Sequence, residues 1–237
     1  MTEKEIRANE LATFYIEKTN HQNVPIKIHF VDNIDKEWIN FTSDENVIRQ
    51  YRNQDFSRLN GLKMPYDGQI YHLLINKNYK DYECTVIHEC THAFDYDRFR
   101  VEFNNGDINI EYHKDYNAMA LYSEFHARAM AHNYYLNHNI IDNQVQFVKN
   151  EILATYNKIF ELKNTFCNCN ISYQEFSYEL MQLVGRLGSH NVDYSSIDGF
   201  QKELLTLYNV LCSLDFEWTS EKFELLLKKI NDFIFSS

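Results

Sequence analysis

Two neighbouring stretches decide the fold: Gln69-Ile-Tyr-His-Leu-Leu-Ile75, and Thr85-Val-Ile-His88-Glu89-Cys-Thr-His92-Ala-Phe-Asp95. The first is a short apolar run bounded by polar residues, which reads as a strand. The second has helical period. At 100° per residue, Val86, Ile87, Cys90, Ala93 and Phe94 fall within one arc of roughly 120°. His88, His92 and Asp95 fall on the opposite side, so the helix has a core stripe that the histidines do not help to fill. Asp81 stands where an N-cap is expected.

Upstream of this pair the chain reads as mixed. Residues 3–19 have the pattern of an amphipathic helix, and Val24-Pro-Ile-Lys-Ile-His-Phe-Val31 alternates like a strand behind an early proline. The apolar piece Trp38–Thr42 reads as another strand. Asn60-Gly61-Leu-Lys-Met-Pro65-Tyr-Asp67-Gly68 concentrates most of the turn chemistry in one place. Beyond about residue 105 the strands stop. Val145, Val148, Ile152, Tyr156 and Ile159 keep the three/four spacing of a helix, as do Tyr173, Phe176, Leu180, Leu183 and Leu187. Ser172 with Glu175 has the spacing of a capping box, and Gly188 suits the far end of that helix. Residues 200–211 and 223–234 continue the pattern. Phe166-Cys-Asn-Cys-Asn170 reads as a polar turn carrying two thiols, because no second cysteine pair lies near it. These readings divide the chain into an N-terminal α+β lobe, residues 1–105, and a C-terminal helical lobe, residues 106–237.

Composition agrees and narrows the partners. Of 237 residues only six are glycine and two proline, a deficit that weighs against an all-β fold with many tight turns. The net charge is −11, and no stretch gathers the basic residues into a patch, which excludes a phosphate-backbone binder. No apolar run approaches the roughly 20 residues of a membrane span. Met1-Thr-Glu-Lys-Glu-Ile-Arg is charged and leads into no apolar signal region. Five cysteines, an odd number without an exported-domain framework, read as reduced thiols. The expectation is a cytoplasmic protein with neither nucleic-acid nor membrane partners.

His88-Glu89-x-x-His92 is the segment that carries chemistry. Histidines four apart share one helix face, so both imidazoles can meet one zinc ion at about 2.0–2.1 Å. Glu89 lies about 100° further round, able to reach a water without taking a ligand position. The plainer alternative is that the two histidines lie on a solvated helix face. Catalytic zinc sites usually take three protein ligands. Glu124, in Leu121-Tyr-Ser-Glu124-Phe-His-Ala-Arg128-Ala-Met-Ala131, is the candidate third. It shares its face with Ala120, Ala127 and Ala131, whose small side chains would let another helix approach. An i,i+4 ion pair with Arg128 is its alternative role. His113, His126 and His132 are rival third ligands. Asp95 reads as a group that orients a ligand imidazole.

At these residues the sequence resembles the gluzincin branch of zinc metallopeptidases, in which His-Glu-x-x-His is followed by a glutamate on a later helix. The wording of residues 87–95 and 123–128 is similar to small proteins classed as metallopeptidases in bacterial prophages and mobile elements. The resemblance spans residues 69–135. It implies one zinc ion held by His88, His92 and Glu124, with Glu89 as general base, acting on a peptide or protein substrate. It also implies an α+β, predominantly α fold: a small N-terminal mixed sheet packed on a zincin-like active-site helix, then a helical half. The strand at residues 70–75 would offer its edge to an extended substrate. Thermolysin-like members carry an aspartate four residues after the glutamate ligand; here Arg128 stands there, so the support of the zinc histidine differs. The alternative function is a zinc-stabilised regulatory or interaction protein of the same fold without general proteolysis.

Overall fold

A computed structural model describes residues 2–19, 24–139, 141, 143–190, 192–196 and 200–236. It is mostly helical, with one small mixed sheet, and divides into two compact units, residues 1–110 and 111–237.

The first unit begins with helix α1 (Glu3–Thr19) and strand β1 (Ile26–Val31). Short helices α2 (Ile34–Glu37) and α3 (Glu45–Tyr51) follow, then strands β2 (Gly61–Lys63) and β3 (Tyr71–Asn76), and the long helix α4 (Tyr82–Glu102). The strand order is β1-β3-β2, with β1 parallel and β2 antiparallel to β3. Leu73, Leu74 and Ile75 are all fully buried, as a central strand covered on both faces requires. Leu74 joins Val31, Ile34, Trp38, Phe56 and Met64 in a cluster on one face. Side chains alternate along a strand, so Leu73 and Ile75 point the other way, to the face on which α4 packs. There α1 leans on α4. Tyr15 stacks on Phe94 at 5.0 Å, the Thr91 hydroxyl donates to the Tyr15 oxygen, and Arg7 pairs with Glu83 at 2.9 Å.

Two expectations need correction here. Trp38–Phe41 is a 3-10 turn rather than a strand. The chain is already coiling at α2: Asn33 accepts from the Lys36 amide, and Glu37 reaches back to the amides of Asp32 and Asn33. That geometry delivers Trp38 into the core instead of a sheet. The strand at residues 70–75 offers no open edge, because β3 is the middle strand and the short β2 forms the border beside it. The β2–β3 connection is the expected turn. Asp67 accepts from the amides of Gln69 and Ile70, and Gly68 takes a positive φ of 96° that other residues rarely adopt.

The second unit is built from α5 (Tyr116–His138), α6 (Gln144–Cys167), α7 (Tyr173–Gly188), α8 (Lys202–Leu214) and α9 (Ser220–Phe235). Ser172 caps α7 by accepting from the Glu175 amide. α5 packs closely along α7: a Cβ at Gly185 would collide with the Phe125 carbonyl oxygen, so glycine sets how near the two backbones come. α8 and α9 form a hairpin whose connection places Trp218 against Phe223 of α9 and Tyr122 of α5. Cys167, the last residue of α6, and Cys169 in the turn after it lie exposed, with Cys169 left-handed at φ 57°. Among the described residues, no helix is long and apolar enough to cross a membrane.

Candidate metal centre

α4 presents the imidazoles. Its start is fixed less by capping than by packing: the Asp81 side chain makes no cap hydrogen bond, while Glu83 in the first turn favours the helix dipole and pairs with Arg7. One turn apart, His88 and His92 point the same way. Their rings meet edge to face, with centroids 4.6 Å apart and Nε2 atoms 3.1 Å apart. Two nitrogens bound to one tetrahedral ion at about 2.0–2.1 Å would stand about 3.3 Å apart, so the donor pair fits zinc with little adjustment. The face carrying them is not simply solvated. His92 is 7% exposed and Asp95 3%, so α4 is enclosed on the side opposite its apolar stripe as well. Tyr96 stands one turn beyond His92, its ring covered by the Lys63 ammonium at 3.7 Å.

Glu89 is 6% exposed and lies beneath β2. A Cβ built on Gly61 would stand 2.5 Å from the Glu89 Oε1 and 2.5 Å from the Thr85 methyl. The border strand therefore runs directly over the carboxylate, and any larger residue at position 61 would have to displace it or the Thr85 methyl. An isolated glycine in a strand is a recognised sign of such close approach, and it was legible at residue 61, though the turn residues around it obscured the strand. Cys90, on the apolar stripe, is fully buried, and burial pushes its thiol far up from its usual pKa. It remains a neutral thiol, neither ligand nor nucleophile.

In the second unit Glu124 is half-buried on α5, where the Gln182 amide donates to its Oε2 at 3.4 Å. The same Gln182, from α7, accepts from Arg128 at 2.8 Å. The glutamine thus links the two side chains that the i,i+4 reading paired directly. Of the rival histidines, His113 accepts from the Asp115 amide ahead of α5, and His126 lies against the Tyr122 ring. His132 is engaged elsewhere, 2.9 Å from Glu151 on α6. With the geometry in hand, comparison brings no relative: no family model, curated protein or solved structure matches the chain.

Proposed function

We propose that the chain is a zinc-dependent metallopeptidase of gluzincin type, with His88, His92 and Glu124 as ligands and Glu89 as general base. The observation that carries this reading is the His88–His92 pair, with Nε2 atoms 3.1 Å apart on one helix whose next residue is a buried carboxylate. The mixed sheet over α4 supports a zincin-like arrangement of that lobe.

Zinc, when bound, would lower the pKa of a water to about 7 and polarise a peptide carbonyl. Glu89 would take the proton of the attacking water on its carboxylate and return it to the departing amine. Enclosure by β2 holds that carboxylate in place and keeps bulk water from it. The substrate would lie extended along β2, residues 61–63, adding a strand to the border of the sheet. Asp95, buried one turn beyond His92, would orient an imidazole. Glu89→Gln keeps the side-chain shape, so it should retain zinc while hydrolysis of unfolded protein substrates falls to background. Undiminished cleavage by that variant would remove the base. Unfolding on chelation, with no chelator-sensitive cleavage by the wild type, would favour the zinc-stabilised interaction protein instead.

A further inference from the structure

The helical unit holds a second convergence of donor atoms, independent of α4. His132 on α5, Glu151 on α6 and His190, two residues past the end of α7, bring one ligand atom each within 4.8 Å of one another. His132 Nε2 is 2.9 Å and His190 Nε2 3.6 Å from the same oxygen, Glu151 Oε2. The two rings stand edge to face at 5.5 Å. Donors that each sit about 2.0–2.1 Å from a shared ion are spaced about 3.3 Å apart, and the two distances bracket that value.

His190 shows that hydrogen bonding within the cluster does not complete it. Its side chain is 0% exposed, yet among the described residues neither Nδ1 nor Nε2 has a hydrogen-bond partner. A buried polar group left this way costs folding free energy unless something satisfies it. The Nε2 faces Glu151 Oε2 at 3.6 Å, beyond hydrogen-bonding distance. The donors are two imidazoles and a carboxylate, a set suited to zinc or a similar first-row divalent ion. Arg186 engages the other oxygen, Oε1, at 3.7 Å, leaving Oε2 to the histidines. The Tyr135 ring stacks on His132 at 5.8 Å and holds its orientation.

We propose that His132, Glu151 and His190 form a divalent-cation site that fastens α6 to α5 and to the end of α7. α6 needs such a fastening, since only Thr155 and Ile159 among its described residues are fully buried. The site is structural: its donors come from α5, α6 and the turn after α7, and binding them together stabilises the folded chain by mass action.

The full chain carrying His88→Ala and His92→Ala, which removes the α4 pair, is dialysed against micromolar Zn2+ and its metal content measured. One equivalent of zinc should remain, and the thermal midpoint should rise with zinc concentration. Adding Glu151→Gln, which preserves side-chain shape, should weaken that binding by at least about tenfold. A folded His88→Ala, His92→Ala chain that retains no zinc overturns the site. So does retained zinc that Glu151→Gln does not weaken. If the α4 variant fails to fold, wild type is compared with Glu151→Gln and, separately, His190→Gln. Loss of one equivalent in each supports the site, and unchanged stoichiometry overturns it. Failure here leaves the α4 pair untouched, and failure of that pair leaves this binding measurable.

Discussion

Gly61 and Glu89 meet at a distance that leaves no room for a methyl group. Gly61→Ala must push either the carboxylate or the border strand aside. Overpacking of this kind costs about 1–3 kcal/mol, and a displaced catalytic group loses about a hundredfold in rate for roughly 1 Å of movement. The variant should therefore fold with a lowered thermal midpoint and, on the proposed metallopeptidase reading, keep zinc while losing most of the hydrolytic kcat/KM. Full activity would show that Glu89 tolerates displacement and is not the base. The histidine pair was legible from spacing alone, because four residues make one helical turn. Glu151 and His190 were not. They stand 39 positions apart on either side of a helical hairpin, and no local pattern links side chains that meet only through packing.

The β1–β3 pair supplies a pH dependence. His29 Nε2 lies 2.9 Å from His72 Nδ1 on the next strand, with the Phe41 ring 4.5 Å away. Burial, then the neighbouring charges of His72 and Lys27, push His29 down to about 4 from 6.5. Asp67 approaches the far side of His72 at 3.4 Å. Between pH 6.5 and 4 the unfolded chain binds a proton that the folded strand pair resists, so stability falls as pH falls through this window. Thermal midpoints taken across it should decline, and His29→Gln should flatten the decline. An unchanged slope would assign the acid sensitivity to other groups. At this scale the helices were easily read, because their apolar period repeats over several turns. The Trp38 segment was misread because its three apolar residues, Trp38, Ile39 and Phe41, are too few to distinguish a period of two from one of three. The edge assigned to residues 70–75 failed for another reason. A strand's place within a sheet depends on its partners, and β2 has only three residues.

Across the whole chain, the scarcity of glycine and proline was the most informative bulk property. It anticipated few tight turns, and the β2–β3 connection gathers both the main cluster of them and Gly68 with its positive φ. Composition cannot report which polar groups are sealed in, since that depends on tertiary enclosure: Asp95 and His92 lie on the polar side of the wheel and are nonetheless buried. The cysteines divide in the same way, with Cys90 enclosed on α4 and Cys167 and Cys169 at the surface. A maleimide fluorophore added to the native protein should therefore react first at Cys167 and Cys169, more slowly at the half-buried Cys84 and Cys212, and spare Cys90 beside the proposed catalytic glutamate, as peptide mapping by mass spectrometry would report. With dye kept limiting, a reporter can thus be installed without any engineered handle, at the end of the longest described helix and away from the one that carries the imidazoles.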